Sequence, residues 1–343
     1  RRWVQRRHFL DLMAATNLLP GPNSTQMTMH IGYVQKGSLG VWGAGWAFVL
    51  PAAIITLGVT WAYVELRALP AMDAIFYGIQ PVVLAIIITA MVRLAPSAAD
   101  DLKTRGVFVT ALAMGLLGVD ELLVLALGAL AGFVLYQWQP WRGLGGGTCL
   151  LASALPWMSI TPMPRPGGEL VGQVGWLFLK FGVTLFGSGY LLVAYLQADL
   201  VDRYGLLSTP QLIEAIVIGE MTPGPLFTVS TAVGYFLAGL PGAVVATVAI
   251  FFPSFFLAVL LGRWMPAIKR SAVASAILRG LTAAVVGVML AVAIVIGRRV
   301  VVDVPTGVLA AAALAALLRT RVSAIALIPV GALLGYLWVT FIT

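Results

Sequence analysis

Asn23, Ser24 and Thr25 directly follow the triplet Pro20-Gly21-Pro22, and Thr228 stands three residues beyond a second triplet, Pro223-Gly224-Pro225. Proline lacks the N–H that a helix uses, and glycine adopts backbone angles that other residues avoid, so each triplet ends one helix and starts another. A helix start presents unpaired N–H groups and about half a positive charge, which makes it a seat for an anion. The first seat adds three donor side chains; the second has only Thr228 close by. Asn17 and Glu220 occupy matching places before the triplets. Glu220, protonated in a buried setting, could couple anion movement to protons, or it could simply hydrogen-bond a helix end.

Two further features suit an oxyanion. Lys180 lies within an apolar run, and Gly187-Ser188-Gly189 breaks the same run and could expose backbone N–H groups. A lysine inside a membrane segment is costly and often functional, but this one reads equally well as a side chain that snorkels to the interface. Asp11 and Glu214 read as caps of the helices leading to the triplets. Arg279 reads as an interfacial residue, and His30 as a packed or partnered imidazole, because no second His or Cys lies at ligand spacing. Cys149 is alone and sits in a Gly-rich connector, so neither a disulfide nor a thiolate cluster follows from it. No metal or other cofactor is expected, and the sequence offers no Ser-His-Asp arrangement or dinucleotide loop for an enzyme.

These residues need a membrane to hold them. Of 343 residues 60% are hydrophobic and only 10% charged, too few polar groups to coat a water-soluble globule of that size. Apolar runs at residues 41–64, 75–94, 171–196, 243–261 and 277–296 are each long enough to cross a bilayer. The net charge of +8 would suggest nucleic acid in a soluble chain, but most Lys and Arg lie in short loops beside apolar runs, where they set orientation. The fold class is therefore all-α, a polytopic integral membrane protein. Its expected partners are the lipid bilayer and an anion, with a homodimer as the one protein assembly considered and no nucleic acid.

The chain is written twice. Pro20 and Pro223 are 203 positions apart, and with a slip of one residue Gly32 meets Gly234, Gly40 meets Gly242, Pro51 meets Pro253 and Gly78 meets Gly280. "GALAGF" at Gly128 meets "GALLGY" at Gly331. Residues 1–136 form a first repeat, residues 137–170 a Gly/Pro-rich linker and residues 171–343 a second repeat. The apolar stretch 171–200 has no counterpart in the first repeat, which predicts roughly thirty further residues ahead of Arg1, forming one more helix.

Arms of ten to fourteen residues flank the triplets, 9–19 and 23–35, then 212–221 and 226–236. At ~1.5 Å per residue they reach part-way across a bilayer and suit re-entrant hairpins that meet near its midplane. A re-entrant hairpin leaves each complete repeat five spans, an odd number, so the second repeat enters inverted. Corresponding loops agree: that around Glu65, Arg67 and Asp73 is net negative, whereas its match carries Arg263, Lys269 and Arg270. This topology puts fifteen basic residues on the cytoplasmic side and four outside, Arg67, Arg203, Arg298 and Arg299, as the positive-inside rule requires. Inverted repeats with broken helices are the architecture of secondary transporters.

The twin triplets, Phe186-Gly187-Ser188-Gly189-Tyr190, and Gly234-Tyr235 followed by Gly239 to Gly242 together resemble the chromate transporter (CHR) family over essentially the whole chain. The resemblance implies a multi-pass protein of a bacterial or archaeal inner membrane that exports chromate and confers chromate resistance, with sulfate as the structural analogue. Both are tetrahedral dianions, which suits the helix-terminus seats. Asn17 and Glu220 stand where the family commonly has Gln, and Phe-Gly-Ser-Gly replaces Phe-Gly-Gly-Gly. Expected binding residues are Asn17, Pro20, Gly21, Pro22, Asn23, Ser24, Thr25, Lys180, Gly187, Ser188, Gly189, Pro223, Gly224, Pro225 and Thr228. The alternatives are a non-transporting membrane scaffold or subunit, and a family member that carries a different anion.

Overall fold

Unbroken apolar runs form helices, and glycine pairs decide where they bend. The computed structural model describes residues 21–67, 69–98, 100–137, 170–185, 189–261, 271–320 and 322–341. Among them are α1 (Asn23–Leu66), α2 (Pro70–Ala98), α3 (Leu102–Leu116), α4 (Glu121–Gln137), α5 (Leu170–Thr184) and α6 (Leu191–Tyr195). The last runs on as a π-helical segment, Leu196–Arg203. Then come α7 (Thr209–Met221), a 3-10 turn (Leu226–Thr228), α8 (Val229–Leu261), α9 (Ala272–Val300), α10 (Val304–Arg319) and α11 (Ala324–Phe341). Five of these helical stretches are long and apolar enough to cross a membrane. Ile54, Trp61, Phe256, Val308 and Leu333 are each more than half exposed, an outward apolar surface that needs lipid to cover it. The described residues are all-helical, the build of a polytopic membrane protein.

α1 and α8 each double back on themselves. The helix breaks at Lys36 (φ −143°, ψ 24°) and Gly37 (φ 58°, ψ −141°), and again at Ala238 (φ −143°, ψ 26°) and Gly239 (φ 62°, ψ −152°). The positive φ is left-handed backbone that glycine tolerates and a side chain resists. Past each break the chain returns along its own arm. A Cβ on Gly32 would stand 2.2 Å from the Gly40 carbonyl oxygen, and one on Gly234 would stand 2.4 Å from that of Gly242. Across the second hairpin the hydroxyls of Thr231 and Thr247 meet at 2.7 Å. Replacing Gly234 with leucine is therefore expected to push these limbs apart at a cost of about 1–3 kcal/mol or more. Thermal unfolding in detergent checks this, since an unchanged Tm would mean that the close approach does not matter.

The apolar stretch 171–196 does not form the single span that its length suggests. α5 and α6 run side by side in opposite directions: Phe181 stacks on Tyr195 at 5.6 Å, and the Tyr195 hydroxyl donates to the Thr184 carbonyl at 3.4 Å. Apolar length alone cannot tell one span from two half-spans. The Gly-rich break is the feature that distinguishes them.

Small residues bring the remaining helices together. Ala74 and Gly78 of α2 meet Gly335 of α11, and Gly78 and Val82 meet Gly331, so these helices are antiparallel. Ala276 and Gly280 of α9 meet Gly132 of α4, and Gly280 and Ala284 meet Gly128, in the same opposed order. Two of the shorter helices start on identical capping boxes, Asp101 with Thr104 for α3 and Asp303 with Thr306 for α10. The Thr104 backbone N–H, with help from the Tyr136 hydroxyl, holds the Asp101 carboxyl down to about 2. That cap is fully present above the ordinary carboxylate range and is lost only as pH falls towards 2.

Candidate functional site

Three chain reversals meet at one place. Pro22 is extended (φ −73°, ψ 123°) and leads into α1 with no side-chain cap, and Pro225 (φ −72°, ψ 137°) does the same for the 3-10 turn before α8. Between the prolines, Gly21 has φ 121° and Gly224 has φ 156°. The Gly21 N–H donates to the Leu185 carbonyl at 2.7 Å, tying the first triplet to the end of α5. On the other side of that reversal, a Cβ on Gly189 would lie 3.4 Å from the Leu226 Cβ, just past the second triplet.

The returning limbs of α1 and α8 wall this meeting point. A Cβ on Gly21 would fall 2.1 Å from Ser254 Oγ of α8, and one on Gly224 would fall 2.3 Å from Ala52 Cβ of α1. Ala52 and Ser254 each follow a proline, Pro51 and Pro253. Phe255, next to Ser254, is held between Trp42 and Trp46 at 4.9 and 5.0 Å. Aromatic packing thus fixes the span against which the first triplet rests.

Donors gather at the first triplet. Gln26 is the first residue of α1 to close a helical bond, back to the Pro22 carbonyl at 3.0 Å, so the Ser24 and Thr25 N–H groups lack an intrahelical acceptor. Ser24 is exposed and Asn23 half-buried. The Thr25 hydroxyl is fully buried with no hydrogen-bond partner among the described residues. At the second triplet Pro225 is buried, Pro223 and Gly224 are exposed, and the Thr228 hydroxyl donates to its own turn at the Pro225 carbonyl, 3.0 Å away. The Tyr190 hydroxyl hydrogen-bonds the Glu220 carboxyl, whose Oε1 is buried without a hydrogen-bond partner among the described residues. Asn17, Pro20, Gly187, Ser188 and Asp11 lie outside the described residues.

Two residues stand elsewhere than their sequence suggests. Glu214 does not cap its helix; Ser208 and Gln211 form that box, because they sit at the true start of α7. Glu214 instead accepts a hydrogen bond from Tyr63 and faces Arg67 at 3.5 Å, linking α7 to the end of α1. Lys180 does not snorkel. Its ammonium lies 2.7 Å from Asp199 Oδ2, with the two side chains 6% and 8% exposed. His30 is buried, and the Arg279 guanidinium lies over the Tyr136 ring at 5.3 Å.

Sequence reading missed Asp199, Tyr190, Ser254 and the Leu185 carbonyl. Asp199 was findable in principle, since a lysine in an apolar run needs a counter-charge and a hairpin centred on the Gly-Ser-Gly break supplies one. Nothing in local sequence marks Ser254, which reaches the site only through packing. No group of three or more His, Cys, Asp or Glu that could hold a metal occurs among the described residues.

A family description, chromate transporter, matches residues 1–133 and 172–336. A chromate transport protein of Cupriavidus metallidurans is 31% identical over 94% of this chain and 80% of its own length. A probable chromate transport protein of Synechococcus elongatus is 29% identical over 89% and 78%. A chromate transport protein of Pseudomonas aeruginosa is 30% identical over 84% and 71%. No solved structure matches the chain. With the family description covering both triplets and most of the chain, the protein belongs to the chromate transporter family and is a transporter rather than an enzyme.

Proposed function

We propose that the protein exports chromate, or a similar tetrahedral oxyanion such as sulfate, across a bacterial or archaeal inner membrane by alternating access. The anion binds where the two triplets meet the α5–α6 reversal. The observation that carries this reading is the convergence itself: Gly21 bonded to Leu185, and Gly189 against Leu226. Two helix starts without side-chain caps then face one locality, and backbone N–H groups there suit a ligand with acceptors on every side. Asn23, Ser24 and Thr25 add donors, Thr228 and the second triplet complete the seat, and Asn17, Pro20, Gly187 and Ser188 belong to it by sequence.

The same reading makes the chain two inverted repeats, residues 1–136 and 171–343, joined by the linker 137–170. α2, α3 and α4 alternate in direction through short connections, so α4 runs with α2; α9 packs antiparallel to α4 and therefore opposes α2, its own match in sequence. An approximate two-fold axis in the membrane plane follows, and it lets one mouth close as the other opens.

Saturable uptake of labelled chromate into everted vesicles, inhibited by sulfate and absent from an empty-vector control, is the expected result. No uptake by well-inserted protein would reject the substrate assignment. Glu220 is the residue we assign to proton coupling, as a buried carboxyl beside the site. Replacing it with Gln should leave uptake in place but remove most of the stimulation by an imposed proton gradient. If the gradient response persists at the wild-type level, the proton travels elsewhere.

A further inference from the structure

We infer that Lys180 and Asp199 form an exchangeable ion pair, in which the transported dianion draws the Lys180 ammonium away from Asp199 and Asp199 falls back on Arg203. This rests on the oxyanion reading above.

The pair bridges the two limbs of the α5–α6 hairpin, whose described ends touch the triplet segments, Leu185 at Gly21 and Gly189 at Leu226. Leu185, five residues beyond Lys180 and about 7.5 Å further along the chain, accepts the Gly21 N–H. A lysine side chain is long enough to cover most of that distance. Helical side chains lean towards the N-terminus, however, so the ammonium must swing over from its Asp199 rotamer to reach the triplets. Asp199 has a second cation within reach: its Oδ1 lies 3.4 Å from Arg203, while Oδ2 holds Lys180 at 2.7 Å. Arg203 in turn stands 3.5 Å from Asp120, and both of those side chains are nearly half exposed. Charges thus alternate from a buried lysine to the surface, and Asp199 can lose one partner without being left alone.

Charge balance supplies the reason. Each helix start offers about half a positive charge, so two of them fall well short of a dianion. A permanently naked lysine would be costly in the empty protein and would hold the anion too tightly to release it. A lysine neutralised by Asp199 at rest and lent to the anion on arrival avoids both problems. The segment that carries Asp199 and Arg203 is π-helical, with the Tyr204 N–H bonded to the Asp199 carbonyl at 2.9 Å. Such wide turns are rare and are frequently found at functional sites. Asp199 is thus a positioning residue; Lys180 is the group that meets the substrate.

The test compares three proteins in reconstituted vesicles: wild type, Asp199→Asn, and the double variant Lys180→Met with Asp199→Leu. The double variant removes both charges and fills the space, a change that buried pairs often tolerate in stability. It should keep its Tm and show a KM for chromate raised by about tenfold or more. Asp199→Asn frees the lysine, so its KM should fall while turnover slows. A purely structural clamp would not split KM from kcat in this way. A double variant with wild-type KM and turnover overturns the exchange and leaves the triplet site standing. If the double variant does not insert, Asp199→Asn decides alone, and a KM at or above the wild-type value overturns the proposal. A wild-type chain that moves neither chromate nor sulfate overturns the proposed function and this inference with it.

Discussion

Placing aspartate at Ser24 is expected to abolish oxyanion transport while leaving the protein inserted and at least as stable as before. Ser24 is in the first turn of α1, beside the donors of the first triplet. A carboxylate about 5 Å from one unit of negative charge costs roughly 3 kcal/mol at an effective dielectric near 20, and a dianion doubles that. Ser24 is exposed, so solvent screening reduces the penalty. Half of it still corresponds to more than about a hundredfold loss in kcat/KM. The same carboxylate favours the start of a helix, so Tm should hold or rise. Loss of transport and loss of fold are thereby expected to move in opposite directions. Ser24→Ala, which removes a single donor, should cost no more than about 1.5 kcal/mol. Undiminished transport by the aspartate variant would remove the first triplet from the anion path.

Much of the architecture is legible in the sequence because glycine and proline report backbone geometry directly. The arm that starts at Asn23 follows from the triplet, whereas the reversals at Gly37 and Gly239, with nearly the same dihedral angles, emerge only in the fold. Four of the five membrane-length helical stretches follow from apolar length; the fifth, Ala324–Phe341, is not among the apolar runs that the sequence marks. What sequence could not supply depends on where separate elements touch. Lys180 and Asp199 are nineteen residues apart and meet only because the chain reverses between them. The stretch 171–196 reads as one span by length; the Gly-rich break marks where it divides, and the packing of Phe181 on Tyr195 pairs the two limbs. Glu214 looks like a cap by composition, but its carboxyl is claimed by Tyr63 and Arg67 from a distant part of the chain. Local chemistry names residue types; tertiary contact assigns their partners.

The glycines at the centres of the triplets test the meeting point from the backbone side, without altering any charge. Gly224→Ala introduces a Cβ 2.3 Å from that of Ala52, on a backbone whose φ of 156° is already unfavourable for a side chain. Overpacking costs about 1–3 kcal/mol and a strained backbone a similar amount, so together they should displace the triplet. Transport should fall by more than about tenfold, with only a modest drop in Tm, because the strain is confined to one reversal. Ala52→Gly removes the contact but not the strain, so the paired variant should recover part of the activity. Gly21→Ala makes the matching case, with its Cβ 2.1 Å from Ser254 Oγ and φ 121°, and Ser254→Gly should rescue it likewise. Partial rescue at both positions is what two related seats walled by each other's spans require. If Gly224→Ala transports at the full rate while Gly21→Ala does not, the second triplet is a packing element and the anion rests on the first alone. That outcome would fit the unequal donor chemistry of the two seats, in which the Thr228 hydroxyl already donates to its own turn whereas the buried Thr25 hydroxyl has no hydrogen-bond partner among the described residues.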